Sequence, residues 1–445
     1  MLKTFPVGGI HPPENKITTD KAIVVLPLPA TVAIPVSQHI GAPANVIVSK
    51  GDYVKTGQVI ANSKGFISAN IHSSVSGKVN RIDSVIDSTG YRQSAVIIDV
   101  EGDEWIETID RTPDINRNNG LASEDIIKKC LEAGIVGLGG ATFPSHVKLS
   151  VPQGKKCEIL LINGVECEPY LTSDHRLMLE KGDEILTGIT LLMKALNVTK
   201  AMIGIENNKP DAVAHLSQLA SSYQGISVHA LKVKYPQGAE KQLIKALVNR
   251  EVPSGKLPID IGVVVHNVGT AFAVYEAVQK NKPLFERVVT ITGKSLSNPG
   301  NYLVRIGTPV SKLIEAAGGI PADTGKIVSG GPMMGKALNN TEVPVVKGTS
   351  GIILFPEKES ARSEVTACIR CAKCTFVCAL NLEPFLLATL SEKGMYERAE
   401  KEHITDCMEC GSCSYTCPAG RPLLDYIRLG KSTVSKMIRQ RNIKQ

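Results

Sequence analysis

Aromatic residues are scarce in this sequence: they make up 4% of 445 residues, with a single tryptophan, so its cores must be mostly aliphatic. It also lacks a strong charge of one sign. A net charge of +7 fits acidic partners or an anionic membrane surface, but it is no nucleic-acid signature. Long apolar runs are missing. The longest, AIVVLPLPATVAIPV, is broken by Pro27, Pro29 and Pro35 and is too short to span a bilayer. The opening MLKTFPVGGIHPPENK has no basic segment followed by an apolar one, so no signal peptide is expected. Cysteine is nearly absent from the first four fifths, where only Cys130, Cys157 and Cys167 occur. These have no ligand spacing and read as small buried side chains. The other eight cluster in the last fifth. A secreted disulfide framework is short and spreads its cysteines, so this pattern points to metal ligation in a reducing, cytoplasmic compartment.

The length suggests roughly three or four domains. Residues 1–115 hold short runs of Val, Ile, Gly and Pro, as in IGAPANVIVSKGDYVKTGQVIAN and ISANIHSSVSGKV, and read as an all-β module. The pair resembles the barrel-sandwich of biotinyl and lipoyl carriers. Lys64 sits in the intervening hairpin, SKGFIS, but the flanking residues of those carriers are missing, so a rigid docking domain is expected rather than a swinging arm. Residues 120–284 alternate apolar strands (CEILLING, KAMIGIE, IGVVVHNVGT) with helical stretches, the pattern of an α/β domain around a largely parallel sheet. Its first helix, SEDIIKKCLEAGI, has Ser123 as expected N-cap. Residues 285–350 return to short strands with one helix, a small α+β unit. Residues 360–430 are helical around the cysteines. A basic tail, 431–445, reads as a solvated helix end or, more sharply, as a contact with anionic lipid or a membrane partner.

The cysteines form two matched sets, CIRCAKCTFVC and CMECGSCSYTCP. Each reads C-x2-C-x2-C-x3-C, the bacterial ferredoxin run for a [4Fe–4S] cluster, with Pro418 completing the second and Ala379 replacing the proline of the first. Zinc would use two separated pairs, and these runs are denser. In two-cluster ferredoxins the fourth cysteine ligates the other cluster. That assigns Cys368, Cys371, Cys374 and Cys417 to one cluster, and Cys407, Cys410, Cys413 and Cys378 to the second. The alternative is that each run closes its own cluster.

GLGGATFPSHVKL, residues 137–149, is the second signal. It follows a helix rather than a strand, and Thr142 occupies the last glycine position of G-x-G-x-x-G, so it is not a Rossmann fingerprint. Clustered glycines do let backbone N–H groups approach a phosphate or a flat ring. Phe143 offers a stacking face and Lys148 a charge.

The stretch resembles the G-x-G-G-A-G-F-P-x-x-x-K motif of the NADH-binding flavoprotein subunit of respiratory complex I. NGVECEP, SDHRLM, YPQGAEKQLI and HNVGTAF are similar to further segments of that family, in order, with Ala239 and Gly269 each replacing a glutamate. The resemblance covers about 120–350 and makes the α+β unit a β-grasp (SLBB-like) ligand-binding domain. With two ferredoxin sets and a barrel-sandwich headed by FPVGGIHPPENK, the whole arrangement resembles the RnfC family, the C subunits of Rnf ion-translocating electron-transport complexes.

The resemblance implies FMN, an NAD(H) site, two [4Fe–4S] clusters and a peripheral place on the cytoplasmic face of the bacterial inner membrane, beside an iron–sulfur subunit and other membrane-embedded partners. Hydride carries two electrons and a cluster takes one; a flavin does both and belongs between them. Gly137, Gly139, Gly140 and Gly238 are then expected to allow close backbone approach, Phe143 to stack and Lys148 to meet a phosphate. Asn163, Glu166 and Asn267 are expected to hydrogen-bond the flavin, with Glu168 and Glu240 contacting the nucleotide or ordering water there. No general base is expected, since the cofactors carry the chemistry. A cobalamin reductase of microcompartments, or a cluster-carrying scaffold with a decayed nucleotide site, are the competing readings.

Overall fold

In the computed structural model, which describes residues 2–117 and 120–444, the chain first crosses the other domains as a strap. Lys3 pairs with Leu231 and Ile10 with Tyr235 in isolated bridges, and the Gly9 N–H donates to the Val377 carbonyl at 2.9 Å. Pro6, Pro12 and Pro13 have no N–H to give to a ladder, so this segment lies on sheets without joining them. Only β1 (Ile23–Val25) joins one, pairing in parallel with the distant strand Gly300–Arg305. The all-β unit expected over 1–115 therefore begins its sheets later, at β2 (Thr31–Pro35). Its other strands are β3 (Asn45–Val46), β4 (Tyr53–Val54), β5 (Val59–Asn62), β6 (Ile71–His72), β7 (Ser76–Ile86) and β8 (Arg92–Gly102). They form two sheets, β2-β8-β7-β4 and β3-β5-β6. Val32 and Ile34 face Val96 and Ile98 in the core, at the period of two that a strand imposes. The hairpin carrying the exposed Lys64 leans on the next domain, where the Phe66 carbonyl meets the His146 ring at 3.0 Å.

The α/β domain opens with α1 (Ser123–Glu132). Ala122, not Ser123, is its N-cap, and the Asp125 carboxylate accepts the Ala122 N–H; the Ser123 hydroxyl is spent on the Ala195 carbonyl. There follow α2 (Ser145–Leu149), β9 (Ile159–Asn163), α3 (Ser173–Glu180), α4 (Gly182–Ala195), β10 (Ala201–Glu206), α5 (Pro210–Ala220), β11 (Ile226–Leu231), α6 (Glu240–Val248), β12 (Val263–Asn267) and α7 (Val268–Gln279). The sheet is parallel throughout, in the order β11-β10-β9-β12. Leu160, Leu161 and Ile162 of β9 are wholly buried, as a sheet covered on both faces requires. The chain lays β10 and β11 to one side of β9 and β12 to the other. Open α/β sheets bind ligands at such a reversal, at the carboxyl ends of the strands. There Asn163 and Asn267, the last residues of β9 and β12, stand opposite each other.

The third unit comprises β13 (Glu286–Thr292), β14 (Gly300–Arg305), α8 (Val310–Ala316), β15 (Thr324–Ser329), β16 (Lys336–Ala337) and β17 (Gly351–Pro356). With β1 it makes a mixed sheet, β1-β14-β13-β17-β15-β16, against which Leu313 and Ile314 of α8 pack. The unit thus borrows a strand from before residue 285 and ends beyond 350.

The last section has α9 (Glu357–Ser360), α10 (Lys373–Phe376), α11 (Pro384–Glu392), α12 (Tyr396–Lys401), α13 (Ser412–Tyr415) and α14 (Leu423–Lys444). The expected tail over 431–445 is the larger, C-terminal part of α14, apart from Gln445, which lies outside the described residues. Val434 and Ile438, four apart, face one side; Val434 is fully buried with Leu387 and Ile427.

Candidate functional site

The crevice at the ends of β9 and β12 is rimmed by the glycine-rich loop. Gly139 and Gly140 are exposed there, and a Cβ on Gly139 would lie 3.4 Å from the Asn267 side chain. Gly140 has φ +109° and open space beyond it, so at this point of the rim the backbone itself is open to a flat group. Gly137 lies at the base of the loop, its N–H donating to the Phe143 carbonyl, and Phe143 is half-buried. Lys148 projects from α2 and pairs with Glu240 at 2.9 Å, its ammonium also donating to the Val265 carbonyl.

The amide and acid side chains expected to touch a flavin are engaged with protein. Asn163 donates to the Gly238 carbonyl and accepts the Val165 N–H. Asn267 caps α7 by accepting the Gly269 N–H at 2.8 Å, and donates to the Asp174 carboxylate at 2.7 Å. Glu166 accepts the N–H groups of Asp174 and His175 at the start of α3. Burial, then the Glu166 carboxylate, push Asp174 up to about 7. Asp174 and Gly269 also line a cavity of about 230 Å³ between α3, α7 and β13, where the buried Arg287 is met as well.

Beneath the crevice, the loop after β9 is held by two buried ammonium groups. Lys16, from the strap, donates to the carbonyls of Glu166, Glu168 and Leu171 at 2.7, 2.9 and 2.6 Å. Lys209 donates to the Val165 carbonyl at 2.8 Å. Burial, and then its neighbour Lys209, bring Lys16 down to about 8. Glu166 and Tyr170 in this loop have positive φ, of 46° and 69°, although neither is glycine. Conformations of that kind persist only where the surroundings fix them.

Glu168 is taken up by the third domain and Tyr235. Its carboxylate accepts the Met333 and Met334 N–H groups of the third domain, each at 3.0 Å, and the Tyr235 hydroxyl at 3.4 Å. Burial raises it to about 7. The same Tyr235 hydroxyl lies 2.8 Å from the Cys410 carbonyl, so one side chain links the α/β domain to the cysteine module.

The two cysteine sets fold alike. Arg370 and Glu409 have φ of 55° and 61°, and Ala372 and Gly411 of 58° and 78°, at matched places. Each loop then enters a four-residue helix, α10 or α13, bearing the third cysteine. Cys378 of the first set lines one apolar hollow with Cys407, Cys410 and Cys413 of the second. Cys374 in turn is near enough to Cys417 for that thiolate to push its pKa up further, after burial. Backbone N–H groups point at sulfur: Glu409 to Cys407 and Leu382 to Cys378, both at 3.4 Å. Burial pushes Cys407 up to about 11 and Cys413 to about 12, so a cluster would have to displace their protons. Cys368 and Cys371 are exposed. Among the described residues no three His, Cys, Asp or Glu side chains converge on a single ion. The hollow, its thiols and the N–H···S contacts suit a polynuclear cluster, and the cleared rim of the crevice suits a flavin.

Sequence reasoning misses Lys16, Lys209, Asp174 and Tyr235. Tyr235 and Asp174 lie inside stretches that it does mark, and Lys16 closes the FPVGGIHPPENK head.

A parallel sheet with a glycine-rimmed switch-point crevice, joined to a double ferredoxin-type module, defines a flavin- and iron–sulfur-bearing electron-transfer protein. Family models agree domain by domain: RnfC barrel sandwich hybrid domain over 3–103, Nuo51 FMN-binding domain over 130–276, SLBB domain over 288–337 and 4Fe-4S dicluster domain over 361–418. The C subunit of the proton-translocating ferredoxin:NAD(+) oxidoreductase complex of Clostridium ljungdahlii is 47% identical over 97% of this chain and 94% of its own length. The C subunit of the Na(+)-translocating complex of Acetobacterium woodii is 44% identical over 98% of both. The chain belongs to the RnfC family, the C subunits of Rnf complexes. It also shares a fold with a chain of NAD+-reducing [NiFe]-hydrogenase in the air-oxidized state, with TM-score 0.51 and 17% identity over 70% of this chain and 66% of that one. Among the described residues, no helix is long and apolar enough to cross a membrane.

Proposed function

We propose that this chain passes electrons between NAD(H), FMN and two [4Fe–4S] clusters, as the peripheral subunit of an ion-translocating ferredoxin:NAD oxidoreductase on the cytoplasmic face of the bacterial inner membrane. The observation that carries the reading is the Tyr235 hydroxyl, which ties the crevice domain to Cys410 directly. Bound FMN supplies the exchange between a hydride and single electrons. The chain's own part is placement. Gly139 and Gly140 keep the rim clear, Gly137 closes the base of the loop, Gly238 packs against Cys167 and braces Asn163, Phe143 offers its face, and Lys148 turns from Glu240 to a phosphate. Asn163, Glu166 and Asn267 act mainly as braces that hold the loop, because their side chains are already bonded to protein. Glu240 is left to face the nucleotide, and Glu168 fixes the third domain instead.

Cys407, Cys410, Cys413 and Cys378 hold the cluster nearer the flavin. Cys368, Cys371, Cys374 and Cys417 hold the outer one, which hands electrons to an iron–sulfur partner. Support for that direction is the exposure of Cys368 and Cys371, with Ile369 and Phe376 exposed beside them. A scaffold with a decayed site is disfavoured at Gly269: where the resemblance expects a glutamate, the carboxylate of Asp174 lies alongside.

Anaerobic purification followed by joint assay of iron, sulfide and released flavin tests the proposal. About eight iron, eight sulfide and one FMN per chain are expected, with a flavin band that NADH bleaches. Full iron without any flavin after reconstitution would leave only the scaffold.

A further inference from the structure

We infer that the strap, residues 3–21, is a positioning element that sets the loop after β9, which underlies the flavin crevice, and the second cluster's fourth ligand relative to each other, with Lys16 and Gly8 as its two fixing points. The inference rests on the functional reading above and adds to it the part played by the N-terminal head.

At one end, Lys16 gives all three of its protons to the carbonyls of Glu166, Glu168 and Leu171. An ammonium has three donors and no acceptor, so its capacity is filled by this one loop. The Tyr170 N–H donates to the Glu14 carbonyl, a second clasp on the same loop. At the other end the strap meets the cysteine module. The Gly9 N–H bonds the Val377 carbonyl, and Gly8 packs on the next peptide: a Cβ on Gly8 would fall 2.6 Å from the Cys378 carbonyl carbon and oxygen. Gly8 has φ +68°, where a side chain is disfavoured in any case. Between these ends, Ile10 and Tyr235 exchange backbone hydrogen bonds, so the strap also seats the residue that touches Cys410. One covalent segment thus touches the loop beneath the flavin crevice, the bridging tyrosine and the Cys378 ligand. Electron transfer between fixed carriers depends on their separation, and this segment spans it.

The test uses the full chain, reconstituted anaerobically, with the variants Lys16→Met and Gly8→Ala and, as control, Lys3→Ala, whose side chain bonds the Leu247 carbonyl rather than the loop after β9 or the cysteine module. Lys16→Met is expected to weaken FMN binding at least tenfold, by fluorescence titration, with iron content and both paramagnetic signals unchanged. Gly8→Ala is expected to shift the signal or midpoint potential of the cluster held by Cys407, Cys410 and Cys413, with FMN affinity unchanged. Lys3→Ala is expected to change neither. Wild-type behaviour in both test variants overturns the inference. So does joint loss of flavin, iron and thermal stability in either variant, which would make the strap a general folding element. Failure of the wild type to bind FMN or clusters would instead sink the functional reading.

Discussion

Asn267 is the residue on which the crevice turns, and two substitutions there should part with pH. Its carbonyl oxygen caps α7 and its amide donates to Asp174. Asn267→Ala removes the cap, worth about 1 kcal/mol, and leaves a buried carboxylate without its donor, about 1–3 kcal/mol more. A loss of roughly 2–4 kcal/mol is expected, in stability and in the preorganisation of the flavin site together. Asn267→Asp keeps the cap but sets a second carboxylate against Asp174. Two such charges repel by about 4 kcal/mol at 4 Å in an effective dielectric of 20, so the pair must share a proton. The sign follows. In the native protein Asp174 already sits at about 7 against an ordinary 3.8, so its favourable contribution is complete below 3.8 and is lost as pH rises through 7. The second carboxylate moves that loss to higher pH and makes it larger. Asn267→Asp should bind FMN nearly as well as wild type at pH 6 and far more weakly at pH 9, whereas Asn267→Ala should be impaired at both. Fluorescence titration with FMN, alongside denaturant unfolding, reads this out. An Asn267→Asp protein indifferent to pH, or an Asn267→Ala protein with native affinity, would refute the reasoning.

Phe143→Ala and Lys148→Ala should each slow anaerobic bleaching of the flavin by NADH about tenfold or more while leaving iron content intact; stopped-flow rates equal to wild type in both would remove these residues from the site. Cys378→Ser should change the paramagnetic signal of the cluster held by Cys407, Cys410 and Cys413, and a change confined to the Cys368 cluster would show that each run closes its own cubane. High salt or alkali should strip the protein from membranes, and retention that only detergent reverses would contradict peripheral attachment.

The architecture was legible because its signals are local. Apolar runs alternating with helical periods marked the parallel sheet, and cysteine spacing marked the double module. What stayed hidden depends on long-range contact. Nothing near Lys16 in sequence shows that its ammonium will meet carbonyls some 150 residues on. Nor does composition reveal that β1 would leave its neighbours for β14. Resemblance pointed to Asn163, Glu166 and Asn267 as flavin contacts, but motif matching could not say that their side chains would be taken up by Gly238, α3 and Asp174. The tail is the expected helix end, exposed over 439–442, but its basic residues mask Val434 and Ile438, which recur at helical spacing and dock its first turns.

The Gly9–Val377 hydrogen bond sets an order in time. Chains are made from the N-terminus at about 5–20 residues per second, so Gly9 leaves the ribosome tens of seconds before its partner exists. The barrel-sandwich and the parallel sheet, whose contacts lie within the earlier stretch, can close in the meantime. The strap cannot finish docking until the first cysteine set has been made. During synthesis, then, the flavin crevice and the cluster module do not mature independently: a residue made late, Val377, supplies the anchor on which the first part of the chain settles.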